Sequence, residues 1–213
     1  MTHEHYFKVF ETAAESMVSH ISSLLQRKVV EAGRAVLAVG GGRTPKRVLP
    51  MLANQDCPWR YVTVTLTDDR QVSMEDPDSN EGLVRNYLLR ERAREAAFNG
   101  LIGTPGYQDL QLDVAYLGFG EDGHVASLFP RGPELAATHQ GTIDTFARVQ
   151  LRERISLTLP TICAAQHLIF LISSVEKYRI YQRACKAPEA QKLPLAEVLR
   201  KTRASVSVFI FEG

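Results

Sequence analysis

The sequence predicts an α/β protein in which a mostly parallel sheet is covered by helices on both faces. Short apolar runs typical of buried strands alternate along the chain with longer segments whose apolar residues recur at helical spacing. The chain has 213 residues, 45% hydrophobic and 23% charged, which suits a compact domain with a sizeable core. No repeat, linker or low-complexity tract divides it, so residues 1–213 are expected to form a single domain.

The predicted elements follow one another in a regular order. A first helix is predicted over Glu11–Ala32, ending at Gly33, and a second begins with Thr44 as N-cap and Pro45 at the first helical position. A third is predicted from Ser79 to about Leu89, with Glu91–Ala97 as a possible extension, and a fourth over Ser173–Ala187. Buried strands are predicted over Ala35–Val39, Tyr61–Leu66, Leu112–Leu117, His167–Ile172 and Val206–Phe211. Strictly alternating residues, Ile143 to Leu151 and Ile155 to Leu159, predict a small antiparallel strand pair. The first residues, including His3 and His5, are expected to form a frayed tail.

Charge and cysteine content narrow the class of protein. The balance of 25 basic against 24 acidic residues is unlike that of a general nucleic-acid binder. We see no signal-peptide pattern, and the longest strongly apolar run, Leu168–Ile172, is far too short to cross a bilayer. The cysteines Cys57, Cys163 and Cys185 are widely spaced and odd in number, as in a protein whose thiols stay reduced. We therefore expect a cytoplasmic protein with no nucleic-acid, membrane or obligate protein partner.

Glycines frame a histidine directly after the strand that ends at Leu117. The segment Gly118–Pro130 reads GFGEDGHVASLFP and lies where open α/β sheets place their ligands, beyond the carboxyl end of a strand. Histidine exchanges protons near neutral pH, and the glycines let the backbone turn sharply. We interpret His124 and Asp122 as candidate catalytic residues. The alternative, for a D-G-H triplet standing alone, is a strand-to-helix turn with a surface histidine.

A second glycine segment, Gly40–Lys46, links a predicted strand to the start of a helix. Free backbone N–H groups at a helix N-terminus bind phosphate, and Arg43 and Lys46 oppose the helix dipole unless an anion is present. The segment is not a dinucleotide fingerprint, because Pro45 occupies the third glycine position. The candidate phosphate ligands are Gly41, Gly42, Arg43 and Thr44. A tight turn without a ligand is the alternative.

Two further cations lie at the starts of elements. Ser173 and Glu176 form a capping box that places Lys177 in the first turn of a helix, where a carboxylate would be preferred. Arg154 stands just before an alternating strand and can hold a phosphate in bidentate fashion. A lysine that extends into solvent and a surface arginine in a hairpin turn are the alternatives.

Carboxylates and an arginine follow another predicted strand, in the segment Thr67–Arg70. The ends of neighbouring strands face one crevice in an open α/β sheet, so Asp68 and Arg70 are expected beside Asp122 and His124. These groups can orient hydroxyls or hold a proton-transfer group. A salt-bridged turn is the alternative.

The ordered set of motifs resembles the family of glucosamine-6-phosphate deaminases and 6-phosphogluconolactonases, and within it the lactonases. The resemblance covers nearly the whole chain and rests on Gly41–Pro45, Asp68–Val72, Asp78–Asn80, Gly118–Pro130, Arg154–Thr158 and Glu176–Lys177. The chain departs from the family pattern at Gly40 and Arg43, where serines are common, and at Asp69, where glutamate is usual. The resemblance implies a Rossmann-like fold, hydrolysis of 6-phospho-D-glucono-1,5-lactone in the oxidative pentose phosphate pathway, and neither metal nor organic cofactor.

The residues fit that chemistry. His124 can take a proton from water and return one to the leaving ring oxygen, oriented by Asp122 or Asp68, while Arg70 stabilises the developing oxyanion. Two alternatives are kept. An amino-sugar phosphate deaminase or isomerase would carry a glutamate shortly after the D-G-H triplet, where Ser127–Pro130 offers no acid. A non-catalytic sugar-phosphate sensor would carry a further module, for which the chain has no length to spare.

Overall fold

The structure is a computed structural model, which describes residues 1–102, 111–147, 152–186 and 193–212. Its strands are β1 (Thr2–Phe7), β2 (Ala35–Val39), β3 (Val62–Leu66), β4 (Asp68–Arg70), β5 (Ala97–Asn99), β6 (Val114–Leu117), β7 (Thr142–Ala147), β8 (Arg152–Leu157), β9 (His167–Ile172) and β10 (Ser205–Phe211). Its α-helices are α1 (Phe10–Ala32), α2 (Arg43–Ala53), α3 (Asn80–Tyr87), α4 (Leu159–Cys163), α5 (Val175–Lys186) and α6 (Pro194–Lys201). Within the described residues, none of the helices is long and apolar enough to span a membrane.

The main sheet confirms the predicted α/β fold. It contains seven strands in the order β1-β10-β9-β6-β2-β3-β5, and each described pair of neighbours is parallel. The chain runs from β2 to β3 and β5 on one side, whereas β6, β9 and β10 lie on the other. Right-handed crossovers in opposite directions place α2 and α5 on opposite faces of the sheet. The strand order reverses between β2 and β6, and a ligand crevice opens at the carboxyl ends of such a pair.

Helix α1 shows how the sequence pattern becomes a packed element. Its buried face carries Met17, Ile21 and Leu25, which recur every four residues and are fully buried. Gly33 ends the helix in the left-handed conformation (φ 71°), and its N–H donates to the Val29 carbonyl at 2.8 Å. The predicted helix and its glycine stop are therefore confirmed, with the start one residue earlier.

The predicted antiparallel pair is present as β7 and β8, but it belongs to a three-stranded sheet in the order β4-β8-β7. The third strand, β4, contains Asp68–Arg70, the segment for which a salt-bridged turn was the alternative prediction. In this register Asp68 lies opposite Ser156, and Arg70 lies opposite Arg154. The predicted strand positions Val149 and Leu151 lie outside the described residues. The small sheet carries the carboxylate and arginine side chains over the end of the main sheet.

Several boundaries differ from the sequence prediction. Strand β8 begins at Arg152 and not at Ile155, so Arg154 lies within the strand. The N-terminal residues are not a frayed tail but strand β1, which pairs in parallel with β10. Glu91–Ala97 does not extend α3, because Glu91 has a positive φ of 48° and a separate 3-10 helix covers Glu91–Glu95. Helix α2 begins at Arg43 with Gly42 as its N-cap, so the prediction of Thr44 as N-cap is wrong. The short elements β5, α4 and α6 were not predicted.

Candidate active site

A cleft of about 560 Å³ opens at the carboxyl ends of β2 and β6, where the strand order reverses. The glycines Gly40–Gly42 follow β2 along one wall, and Gly118–His124 follow β6 along the other. The structure brings all the candidate site residues to this cleft except Asp122, which does not line it but bonds to His124. The candidates that line it are Gly41, Gly42, Arg43, Thr44, Asp68, Arg70, His124, Arg154 and Lys177.

His124 and Asp122 form a hydrogen-bonded pair at the end of β6. The ring Nδ1 of His124 lies 2.6 Å from Oδ1 of Asp122, and the backbone N–H of His124 donates to the same oxygen at 3.1 Å. The hydrogen bond with His124 lowers the pKa of the Asp122 carboxyl below its ordinary value. Gly123 makes the turn with a φ of 84°, and a Cβ at Gly120 would overlap the imidazole. The glycines are therefore what allow the histidine to fold back over its own loop.

This contact fixes the protonation pattern that a general base needs. When the Asp122 carboxylate accepts the Nδ1 proton, the lone pair of a neutral imidazole is on Nε2. His124 lines the cleft and is only partly buried, and its ring packs against Phe129 at a centroid distance of 5.2 Å. The sequence left open whether Asp122 or Asp68 orients the histidine. Among the described contacts, only Asp122 forms a hydrogen bond with its imidazole ring.

Asp68 instead belongs to a buried network. Its Oδ2 accepts a hydrogen bond from the Ser127 hydroxyl at 2.6 Å and lies 3.9 Å from Nη1 of Arg154, while its Oδ1 accepts from Thr67 at 3.2 Å. The backbone carbonyl of Asp68 accepts from the Asn80 side chain at 2.8 Å. The carboxylate is thus held rigidly at the cleft wall. Sequence reasoning missed Ser127, because its contact with Asp68 joins residues 59 positions apart in the sequence.

Two guanidinium groups lie side by side at this wall. Arg70 and Arg154 are directly opposite each other across β4 and β8. Burial, and then the charge of Arg70, lower the pKa of Arg154. Arg70 donates to the Asp78 carbonyl, but its buried Nε has no hydrogen-bond partner among the described residues. Like charges directly opposite each other destabilise a sheet, so this arrangement favours a bound anion.

The glycine loop forms the other end of the cleft. Gly42, with a φ of 104°, is the N-cap of α2 and offers no side-chain cap, so the first N–H groups of the helix are left for a ligand. A Cβ at Gly41 would overlap the side chain of Asn80. Thr44 lies in the first turn, with its hydroxyl 3.2 Å from that of Ser173. That contact joins the starts of the α2 and α5 regions.

Lys177 lies at the same end. Its Nζ donates to the Phe119 carbonyl at 2.7 Å, and burial, followed by the charge of Arg43, lowers its pKa. The capping residue of α5 differs from the prediction: the Lys177 N–H donates to the Ser174 hydroxyl at 3.3 Å, since the helix starts two residues after Ser173. Lys46 does not line the cleft and lies over the Tyr87 ring at 5.3 Å. Arg43 and Lys177 therefore line the cleft with the glycine loop, whereas Lys46 does not.

Asp69 and Asn80, which sequence reasoning did not assign, build the scaffold. The Asp69 carboxylate accepts from the backbone N–H groups of Arg70, Asn80 and Glu81 at 2.7–3.0 Å and so caps the start of α3. Burial raises the pKa of Asp69. Asn80 then contacts both the glycine loop and the backbone of Asp68. The departure from the usual glutamate at position 69 therefore falls on a helix-capping residue.

Comparison with known proteins agrees with the motifs. The family model for glucosamine-6-phosphate isomerases/6-phosphogluconolactonase matches residues 9–102 and 92–208. The chain is 33% identical to a 6-phosphogluconolactonase of Neisseria meningitidis over 98% of both chains. It is 32% identical to one of Pseudomonas aeruginosa, over 91% of this chain and 90% of that protein.

Solved structures show the same fold. The crystal structure of a 6-phosphogluconolactonase from Shewanella baltica superimposes with a TM-score of 0.90 at 28% identity, covering 99% of this chain and 97% of that one. A monomeric glucosamine-6-phosphate deaminase superimposes with a TM-score of 0.80 at 16% identity, covering 98% of this chain and 97% of that one. The fold is thus shared by both activities. By sequence match and architecture together, the chain belongs to the glucosamine-6-phosphate isomerase/6-phosphogluconolactonase family.

Proposed function

We propose that this protein hydrolyses 6-phospho-D-glucono-1,5-lactone to 6-phospho-D-gluconate, the lactonase step of the oxidative pentose phosphate pathway. One observation carries the proposal: a single cleft joins an anion-binding end, at Gly41–Arg43 and Lys177, to the His124–Asp122 pair. A sugar phosphate bound by its phosphate at the first end extends its ring towards the second. The names of the relatives in both comparisons agree with this reaction.

The reaction uses groups of the chain. Nε2 of His124 takes a proton from a water molecule as the water oxygen attacks the lactone carbonyl carbon, and Asp122 stabilises the imidazolium that forms. The carbonyl electrons move to the exocyclic oxygen, and Arg70 offers a positive charge to this oxyanion. When the tetrahedral intermediate collapses, the bond from the carbon to the ring oxygen breaks. The imidazolium then protonates the leaving oxygen, and the free acid ionises.

Asp68 and the remaining cations hold the substrate for this chemistry. Arg43 and Lys177 meet the phosphate together with the N–H groups at the start of α2, and Arg154 reaches it from the small sheet. The Asp68 carboxylate accepts hydrogen bonds from a sugar hydroxyl or from the attacking water. We expect neither metal nor organic cofactor, because the histidine pair and the arginines supply proton transfer and charge stabilisation. The substrate is a charged sugar phosphate that does not cross a bilayer unaided, so we place the activity in the cytoplasm.

The resemblance implies that the rival deaminase activity would use, besides a carboxylate at the place of Asp68, a glutamate shortly after the histidine. After the histidine, this chain has Ser127, whose hydroxyl bonds to Asp68, and Phe129, whose ring packs on the imidazole. The nearby Glu134 is buried, accepts from the Phe129 N–H at 2.8 Å and does not line the cleft. Hydrolysis therefore fits the described groups better than deamination.

The test generates the unstable lactone immediately before use. Glucose 6-phosphate is oxidised to completion by its dehydrogenase, and the loss of lactone is followed with and without the protein. Hydrolysis well above the spontaneous rate, together with no ammonia release from glucosamine 6-phosphate, supports the proposal. A rate equal to the spontaneous one contradicts it. Ammonia release would favour the deaminase, and tight 6-phosphogluconate binding without turnover would favour the sensor.

A further inference from the structure

Ser127 is fully buried between two charged side chains of the cleft. Its hydroxyl donates to Oδ2 of Asp68 at 2.6 Å and accepts from Nη1 of Arg154 at 3.5 Å. The carboxylate oxygen and the guanidinium nitrogen are themselves 3.9 Å apart, farther than the roughly 2.7–2.9 Å of a direct charge-assisted hydrogen bond. The serine oxygen therefore bridges a buried carboxylate and a buried guanidinium that do not bond directly.

The backbone fixes this hydroxyl in place. The N–H of Ser127 donates to the Ser156 hydroxyl at 3.2 Å, and Ser156 lies opposite Asp68 in the small sheet. Ala126, the preceding residue, has a φ of 52°, in the left-handed region that residues with a Cβ rarely adopt. Such strain persists where the surrounding contacts determine the conformation, and it is concentrated at functional sites. The position of the Ser127 side chain is thus set by the loop after the histidine and by strand β8.

We propose that Ser127 is a positioning residue, which keeps Asp68 and Arg154 bridged but separate so that both charges remain available to the substrate. Without the hydroxyl, attraction in a buried site draws the two groups together from 3.9 Å into a directly hydrogen-bonded pair. That pair would use a carboxylate oxygen and an N–H group that the substrate otherwise meets. The proposal rests on the lactonase function proposed above and adds a residue to it.

The experiment compares Ser127→Ala, Asp68→Asn and the double variant, each measured for kcat/KM on fresh lactone and for 6-phosphogluconate affinity by calorimetry. Misplacement of about 1 Å at a reacting site costs on the order of 10²-fold, so we expect Ser127→Ala to lose about 10–10²-fold in kcat/KM. The amide of Asp68→Asn no longer attracts Arg154 by charge. In that background, removal of the hydroxyl should cost little more in either measurement.

Two controls keep the result interpretable. Ser22→Ala removes another buried hydroxyl, which donates to the Asp56 carbonyl at 3.0 Å and does not line the cleft, and this variant should retain wild-type turnover. Ser127→Gly also removes the hydroxyl and leaves no group of similar size in its place, so it should reproduce the loss if the alanine variant is unstable. Circular dichroism and thermal midpoints establish folding.

The outcomes separate the two proposals. Wild-type protein without lactonase activity would contradict the proposed function itself. Active wild-type protein with unchanged Ser127→Ala and Ser127→Gly variants would overturn the role of Ser127. An equal loss in affinity from Ser127→Ala in the presence and absence of Asp68→Asn would show that the hydroxyl acts as a structural element independent of the ion pair.

Discussion

Asp122 Oδ1 and His124 Nδ1 are 2.6 Å apart, and they form the one described hydrogen bond that links a carboxylate to the imidazole ring of the candidate catalytic histidine. Asp68, the buried carboxylate of the same cleft, bonds to Ser127 and faces Arg154. The two acids therefore have different environments and different expected tasks. We expect Asp122 to orient the base, and Asp68 to orient the water or the sugar hydroxyl.

Asp122→Asn should lower kcat much more than it raises KM. An amide that donates to Nδ1 would leave the proton on Nε2, which is the wrong tautomer for a base, so much of the about 10²–10⁴-fold contribution of general acid–base catalysis should disappear. Steady-state kinetics on fresh lactone measure the effect. Asp56→Asn, at a surface carboxylate that pairs with Arg92, is the matched control and should behave as wild type. Full turnover of Asp122→Asn would remove the carboxylate from the mechanism.

As the pH rises, phosphate affinity should begin to fall at a lower pH than it would if Lys177 had the pKa of an ordinary lysine. Burial lowers the pKa of Lys177 from its ordinary 10.5, so its charge is lost before that of a surface lysine as the pH rises. Bound phosphate restores the charge, and binding should therefore take up a proton in this alkaline window. Because the folded state binds fewer protons there than the unfolded state, this group makes the unliganded protein more stable as pH increases.

Calorimetry of 6-phosphogluconate binding in buffers of different ionisation enthalpy measures that proton uptake. Lys177→Met should abolish this component, whereas Lys8→Met, at an exposed lysine, should leave it intact. Proton uptake that persists in Lys177→Met would assign the titration to another group.

Arg43→Ala should weaken the binding of 6-phosphogluconate far more than that of gluconate. Arg43 lies at the start of α2 and is close enough to lower the pKa of Lys177. We therefore expect both positive charges to bind one anion between them. The same comparison applies to Arg154→Ala, whose guanidinium lies at the opposite wall. Competition binding with both ligands gives the ratio. Equal losses for the two ligands would mean that these cations support the fold and not the phosphate.

Gly41→Ala should be costly even though it adds a single methyl group. The new Cβ would overlap Asn80, which is held by its bonds to Asp68 and Asp69. Overpacking of this kind costs about 1–3 kcal/mol, and each kcal/mol lowers Tm by about 2–4 °C in a chain of this size. Gly118→Ala is the matched control, because a Cβ there meets no atom within 4 Å. Equal Tm values for the two variants would show that the Asn80 side chain can move away from the new methyl group without loss of stability.

The main sheet could be predicted because its strands are continuous apolar runs, such as Ala35–Val39 and His167–Ile172, and its long helix has a clear stripe and a glycine stop. Strand β1 could not, because its exposed side chains carry no apolar pattern and its pairing with β10 joins opposite ends of the chain. Strand β4 is three polar residues long, and only its partner β8 makes it a strand. Both β1 and β4 are therefore strands because of pairing with distant segments of the chain, and not because of their local sequence pattern.

The candidate site was predictable where the chemistry follows strand ends in the sequence. The glycine loop and the D-G-H triplet gave His124 and its neighbours, because β2 and β6 are adjacent. Ser127 was not predictable, since its role depends on Asp68 lying 59 positions away in the sequence. Which carboxylate contacts the histidine was equally hidden, because it depends on a turn closed by Gly120 and Gly123.

The central claim is that His124 performs lactone hydrolysis in this cleft. The most direct measurement is the initial rate of 6-phospho-D-glucono-1,5-lactone hydrolysis by His124→Ala beside wild type, with folding and 6-phosphogluconate affinity checked in the same preparations. We expect a folded variant that still binds 6-phosphogluconate but has lost about 10²–10⁴-fold in kcat. A folded His124→Ala protein with near-normal turnover would contradict it.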